Sequence, residues 1–302
     1  MRNSEKLYFS LYYILNFFCY LLVFSAQIKS IIHFSLSFHY LQILSSSLSL
    51  IFLHATRNQP GYAEPDKPAK SATEEEPKNI KSDSSVKINL ETAPIVNLNL
   101  MPNNGCDKCN IAKLPLRSHH CEKCDRCVRG FDHHCWILAG CIGENNRFKF
   151  ILFLLFQNIS LIYSIYGILK LLNNEEIESL IYLLTFLFSV ICLFGIIFFW
   201  IILCHIYLLL TNQTTYEIFN ENNCPYLKIF TEERNKILAQ KGISVEINTK
   251  YRPFDIGVIN NIFIYLFKMF NNNKEIRWEE IYNENLKTNK INLSCFDKII
   301  EN

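Results

Sequence analysis

The sequence predicts an α-helical integral membrane protein: four transmembrane helices, with a cytosolic cysteine-rich domain between the second and the third. Three observations predict it. Four apolar stretches are each long enough for a bilayer core, which takes about 20 helical residues. Seven of the twelve cysteines crowd into residues 106–141 together with four of the eight histidines. Basic residues flank the apolar stretches on the side of the expected membrane that carries the cysteine-rich segment, and the loop at 173–178 on the other side has none.

The first apolar stretch runs from Leu7 to Ala26 and the second from Ile31 to His54, joined by a tight hairpin at Gln27–Ser30. A cleaved signal peptide is the competing reading of residues 1–26, but the apolar core exceeds the usual ~7–15 residues. The second stretch is the weakest, because His33, His39, Gln42 and three serines at 45–47 interrupt it. The third covers Phe148–Leu172 and the fourth Leu180–Leu210. Arg2 and Lys6 precede the first stretch, Arg57 follows the second, and Arg147 and Lys149 stand at the start of the third. The opposite loop at 173–178 carries Glu175, Glu176 and Glu178 and no basic residue. Both termini and the loop between the second and third spans are therefore expected in the cytosol.

The chain then divides into helices one and two (1–54), a cytosolic linker (55–104), the cysteine-rich domain (105–147), helices three and four (148–210) and a cytosolic tail (211–302). Residues 63–104 are polar and proline-containing, too poor in apolar side chains to fold alone. Ile88–Leu100 alternates enough to suggest one strand. The tail offers a charged helical stretch over 228–242 and an apolar one over Phe254–Phe270, where Ile262, Phe263, Tyr265, Leu266 and Met269 fit one face of an amphipathic helix. No internal repeat is evident. A formal net charge of +2 gives no basic field, so no nucleic-acid partner is expected.

The segment from Cys106 to Cys141 mixes Cys and His at short spacings, the pattern of metal ligation by reduced thiols on a cytosolic face. Cys106 with Cys109, and Cys121 with Cys124, are C-x-x-C pairs that can each supply adjacent corners of a tetrahedral zinc. Two closed sites need eight ligands, and seven Cys with four His leave three groups over. Cys135 follows Asp132, His133 and His134 directly, so an acid, a base and a thiol are adjacent. An imidazole can take a thiol proton and a carboxylate can orient the imidazole. One of His133 and His134 turns to a metal and the other to the thiol; spacing alone does not say which.

These residues resemble the DHHC-type protein S-acyltransferases (palmitoyltransferases). Arg117-Ser118-His119-His120-Cys121, then Cys124 and Cys127, then Asp132-His133-His134-Cys135, then Cys141-Ile142-Gly143 and Asn146 carry the signature. Gln59-Pro60-Gly61, Thr214-Thr215-Tyr216-Glu217 and Pro253-Phe254-Asp255-Ile256-Gly257 with Asn261 resemble weaker family marks. The resemblance implies a cytosolic two-zinc DHHC domain between helices 2 and 3. One structural zinc would be held by Cys106, Cys109, His120 and Cys127, the other by Cys121, Cys124, His134 and Cys141. Cys135 would then be the acyl carrier, His133 its base and Asp132 the orienting acid, with His119 structural.

The resemblance further implies a multi-pass endomembrane protein of the Golgi or endoplasmic reticulum. Its donor would be palmitoyl-CoA or another fatty acyl-CoA, and its acceptors membrane-proximal protein cysteines. Arg126, Arg129, Arg147 and Lys149 are candidates for the coenzyme A phosphates. Thr214, Thr215 and Asn261 are expected to hydrogen-bond to the domain, and Gln157, Asn158 and His205 to bond between helices. The chain departs from the family at Trp136-Ile137, where Pro-Trp is usual, and at Ala139-Gly140, where Asn-Asn is usual. The alternative is an inactive membrane zinc-finger scaffold of the same family.

Overall fold

The structure, a computed structural model, describes residues 36–57, 59–64, 105–173, 181–240 and 251–287, and from the first apolar stretch only Ile14, Phe17, Phe18 and Leu21. The strand suggested at 88–100 and the acidic loop lie outside the described residues. Three long helices form one bundle: α1 (Leu36–Arg57), α2 (Arg147–Leu172) and α3 (Ile181–Leu210). Among the described residues, α2 and α3 are long and apolar enough to cross a membrane. Their outward faces, with Ile162 and Tyr166 on α2 and Phe186, Ile196 and Trp200 on α3, are apolar and uncovered by protein.

With 22 residues, α1 has the length but not the apolarity of its neighbours. Its His39, Gln42, Ser45, Ser49 and Thr56 side chains are buried. Ser46 Oγ meets Ser160 Oγ of α2 at 2.7 Å, and Ser49 Oγ donates to Gln157 Oε1 at 2.8 Å. Beside them Phe52 stacks on Phe156. Residues that dilute a hydropathy profile are here the ones that join two helices. Asn158 Nδ2 makes the matching link from α2 to the Phe198 carbonyl of α3 at 3.2 Å.

Between α1 and α2 lie two small antiparallel hairpins, β1 (His119–Cys121) with β2 (Arg126–Val128) and β3 (His133–Cys135) with β4 (Gly140–Ile142). Both first strands read His-His-Cys, and in both the middle His stands opposite a Cys: His120 faces Cys127 and His134 faces Cys141. That echo is a repeat the sequence reading did not find. The beginning of the expected linker is ordered: Tyr62 bridges to Val128, and Ala63 N donates to the Cys127 carbonyl at 2.9 Å. Gly143 lets these pieces close up. A Cβ there would stand 2.5 Å from the Pro60 carbonyl and 2.6 Å from Val128 Cγ1, which only glycine avoids.

The tail adds α4 (Thr215–Phe219), α5 (Pro225–Gln240), α6 (Val258–Phe270) and α7 (Trp278–Lys287). Phe230, Phe254, Trp278, Ile281 and Tyr282 form their shared core. The amphipathic reading of α6 holds in period but not in face. Its buried side is Asn261, Ile264, Tyr265 and Lys268, while Phe263 is half exposed. Lys268 is inside because it pairs with Glu144 Oε1 at 3.0 Å, a buried partner that periodicity cannot foresee.

Candidate functional site

Each hairpin helps to build a cradle of four ligand atoms. Cys106, Cys109, His120 and Cys127 form one; Cys121, Cys124, His134 and Cys141 form the other. In a tetrahedral zinc site, Zn–S of about 2.3 Å and Zn–N of about 2.0–2.1 Å put S and N roughly 3.5–3.6 Å apart. His120 Nδ1 lies 3.5, 3.3 and 3.8 Å from the Sγ atoms of Cys106, Cys109 and Cys127. His134 Nδ1 lies 3.5, 3.4 and 3.7 Å from those of Cys121, Cys124 and Cys141. All these cysteines are free thiols. The donor sets and edge lengths therefore fit a metal of that size. The outer nitrogen of His120 faces Asp125 Oδ1 at 3.5 Å, the kind of partner that fixes a ligating ring.

Cys135 is in neither cradle. It ends β3, buried, against Leu53 of α1, Leu138 and the phenyl rings of Phe150 and Phe153 at the head of α2. The thiol thus caps an apolar core that runs down between the helices to Ile168 and Ile191. His133 stands two residues before Cys135 on the same strand face. Its Nδ1 is 2.7 Å from Asp132 Oδ2. Carboxylate, imidazole and thiol follow one another in that order.

Asp132 is fully enclosed. Its Oδ1 accepts from Thr215 N at 2.9 Å and faces Arg147 at 3.7 Å; its Oδ2 accepts from Thr215 Oγ1 at 2.8 Å as well as from His133. Burial by itself would raise the Asp132 carboxyl, but the Arg147 guanidinium and the His133 bond outweigh it and hold the group well below the usual carboxylate range. Burial likewise opposes charge on His133, yet the bond to Asp132 and the nearby Cys135 push it up to about 10. It is a strong base for a proton leaving the thiol.

The tail delivers Thr215. Thr214 and Glu217 form a reciprocal capping box, with Glu217 N donating to Thr214 Oγ1 at 3.1 Å and Thr214 N to Glu217 Oε2 at 2.8 Å. The box starts α4 and aims Thr215 at Asp132. Glu217 is in turn held bidentately by Arg117 at 2.8 and 2.7 Å, and the guanidinium lies between Phe254 and Trp278. Asn212, in the left-handed conformation that ends α3, accepts from Arg117 NH1 at 3.0 Å. Asn261 Nδ2 reaches the Leu210 carbonyl at 2.7 Å. Of the three residues expected to bond to the domain, Thr215 does so through Asp132, whereas Thr214 caps α4 and Asn261 bonds to Leu210, Asp255 and Ile256. Arg117 and Glu217 each stand in a motif that carries the resemblance, and that was the available signal.

The proposed phosphate contacts scatter. Arg147 is fully buried; it bonds to Tyr265 Oη at 2.9 Å and to the Gln213 carbonyl and faces Asp132, so it is withdrawn as a phosphate ligand. Its positive charge belongs to the site. Arg126 is exposed over the Tyr62 ring, Arg129 pairs with Glu275, and Lys149 is half-buried at the start of α2. His119 stacks between Phe131 and Tyr216, at 5.0 and 4.4 Å between centroids, so packing is its role. His205 does not bond across helices; it faces Asp132 and His133. At the two departures from the signature, Ile137 packs into the core beside Cys135, and Trp136 turns outward, 45% exposed, under Lys123.

Residues 99–222 match the family model described as DHHC palmitoyltransferase. The chain is 35% identical over 165 residues to "Protein S-acyltransferase 10" of Arabidopsis thaliana, covering 52% of this chain and 42% of the relative. It is 36% identical over 120 residues to "Palmitoyltransferase ZDHHC15A" of Danio rerio, covering 37% and 35%. Over 51 residues it is 49% identical to "Palmitoyltransferase ZDHHC3" of Homo sapiens, covering 17% of each. Residues 99–222 are thus similar to the DHHC palmitoyltransferase family, and the chain spans about a third to a half of the length of the first relatives it matches.

Proposed function

We propose that this protein is a protein-cysteine S-acyltransferase that takes a long-chain fatty acyl group, palmitoyl in the first instance, from acyl-coenzyme A. One observation carries the reading: a thiol that neither metal cradle uses stands two residues from an imidazole–carboxylate pair on one strand, in an apolar core shared with the helices. The family match and the relatives' names support it.

In the first step His133 accepts the Cys135 thiol proton and Sγ attacks the thioester carbonyl. The bond from carbonyl carbon to the coenzyme A sulfur breaks, and coenzyme A leaves as thiol after taking a proton. In the second step a substrate cysteine repeats the exchange on the acyl-enzyme and Cys135 is restored. The kinetics are ping-pong. Asp132 holds the ring orientation and balances the imidazolium, while Thr215 and Arg147 hold Asp132. Two zinc ions would occupy the cradles, each saturated by protein ligands, and would supply structure to the hairpins.

The apolar core beneath Cys135 suits the acyl chain. Burying ~14 methylenes at ~0.8 kcal/mol each is worth roughly 11 kcal/mol against water, most of which a bilayer already offers, so fit matters more than affinity. Arg126, Arg129 and Lys149 remain for the coenzyme phosphates. Four spans, with the zinc domain and both termini cytosolic and acceptor cysteines close to a Golgi or endoplasmic reticulum membrane, complete the reading. The test is incubation of purified full-length protein with radiolabelled palmitoyl-CoA. Hydroxylamine-sensitive label on the wild type, absent from Cys135→Ser, is expected. An unlabelled wild type with both cradles metal-loaded would instead identify a scaffold.

A further inference from the structure

We propose that His205, from the middle of the last turns of α3, is a positioning residue for the Asp132–His133 pair; the proposal rests on the acyl-transfer reading above. His205 is 7% exposed, and its Nδ1 has no hydrogen-bond partner. A buried polar atom left unpaired in a helix of apolar residues calls for a reason. The atom it faces is Asp132 Oδ2, 4.0 Å away.

That oxygen is already taken. Oδ2 accepts from His133 Nδ1 and from Thr215 Oγ1, which fill the two lone-pair directions of one carboxylate oxygen. His205 therefore stands off as a third donor. A neutral imidazole beside a carboxylate carries its proton on the nitrogen facing it, so the N–H of His205 points at the carboxylate. A shift of about 1 Å would bring it into hydrogen-bonding range. Whenever His133 turns toward the thiol or the acyl group, His205 is placed to keep the carboxylate from following.

The second contact is through a ring. The His205 imidazole meets Phe150 edge-on at 5.0 Å, and Phe150 meets His133 edge-on at 5.6 Å, with the two imidazoles 5.5 Å apart. The three rings thus form a nearly equilateral cluster, and Phe150 belongs to the same core as Cys135. Through Phe150 and Asp132, His205 fixes both the plane and the partner of the base. Its contacts are with Asp132, His133 and Phe150, so it acts through His133.

The test compares His205→Phe, which keeps the ring and removes the N–H, with His205→Asn, whose amide nitrogen falls near Nδ1. Two rates are read on zinc-loaded full-length protein: single-turnover uptake of acyl label from palmitoyl-CoA, and iodoacetamide alkylation of Cys135. H205F is expected to slow both about tenfold and H205N to recover to within about threefold. H205F added to Asp132→Asn should cost nothing further, because both act on one pair. H205F at wild-type rates, H205N as slow as H205F, or multiplying effects in the double variant would overturn the proposal. If H205F fails to fold, His205→Gln, which lacks a donor at Nδ1, is read in the same cycle, and additivity overturns it. A labelled wild type with an equally fast H205F defeats this proposal alone. An unlabelled wild type in which H205F still slows alkylation defeats the acyl-transfer reading and leaves this one standing.

Discussion

The two hairpins present the same tripeptide in the same register and put it to different use. His119-His120-Cys121 and His133-His134-Cys135 each turn the middle His to a cradle opposite a partner-strand Cys. The flanking positions then diverge. His119 stacks on Tyr216 and Phe131, whereas His133 bonds to Asp132; Cys121 is a cradle ligand, whereas Cys135 is in neither cradle. What separates them is the environment. The residue before the pair is Ser118 in one case and Asp132 in the other; the first hairpin meets Tyr216 at the head of α4, and the second has Phe150 and Arg147 at the head of α2 beside it. Local sequence folds the hairpin, and the surroundings differ where one thiol joins a cradle and the other stays outside it.

The strongest way to break that comparison is at the two cysteines. Cys135→Ser should abolish acyl uptake while leaving metal content intact. Cys121→Ser should cost the second cradle its metal and, because structural zinc binding is worth ~10–16 kcal/mol of folding free energy, unfold the domain. Metal analysis and near-UV circular dichroism separate the two.

Next come the residues before each His pair. Asp132→Asn should lower the acylation rate roughly 10³–10⁴-fold, as loss of the orienting acid does in a triad. Ser118→Ala should stay within about twofold, since the Ser118 hydroxyl has no hydrogen-bond partner. A Ser118 variant as damaging as the Asp132 one would remove the asymmetry.

The first histidines should differ in sign with pH. His133 is raised in the fold to about 10, against an ordinary value of 6.5. Its contribution to stability is therefore full below pH 6.5 and is lost as pH rises through about 10. Burial lowers His119 instead, with a smaller push from His120, so its contribution is present above 6.5 and shrinks as pH falls. Melting temperatures of His133→Gln and His119→Gln against wild type, at fixed zinc from pH 6 to 10, should show the first difference closing with rising pH and the second closing with falling pH.

The smallest effect concerns a turn. Ala139 sits at φ 50 between β3 and β4, a conformation that costs an L residue with a Cβ about 1 kcal/mol. Ala139→Gly should stabilise the second hairpin by about that much, read as a higher melting temperature with acyl uptake unchanged.

The sequence made the chemistry more legible than the architecture. Eight ligands and a leftover thiol can be counted from spacing because Cys and His have few other reasons to crowd together. The middle histidine of each triplet is settled only by strand register, which spacing leaves open. The Arg117–Glu217 clamp joins residues 100 positions apart, and nothing local announces such a pair. Arg147 shows the converse error: a basic residue at a helix head looks like a membrane flank or a phosphate ligand until burial against Asp132 is seen. His205 was misplaced for the same reason, since a lone histidine in an apolar helix looks like a hydrogen-bonding link to a neighbouring helix. On α6 the period was readable and the face was not, because the buried Glu144–Lys268 pair turns a charged side chain inward.

The most direct test of the account is native mass spectrometry of the zinc-loaded protein before and after alkylation by one equivalent of iodoacetamide, followed by peptide mapping. One adduct at Cys135 with both metal ions retained is the result expected. An adduct that expels a metal ion, or one that maps to Cys121, Cys124 or Cys141 in preference to Cys135, would contradict it.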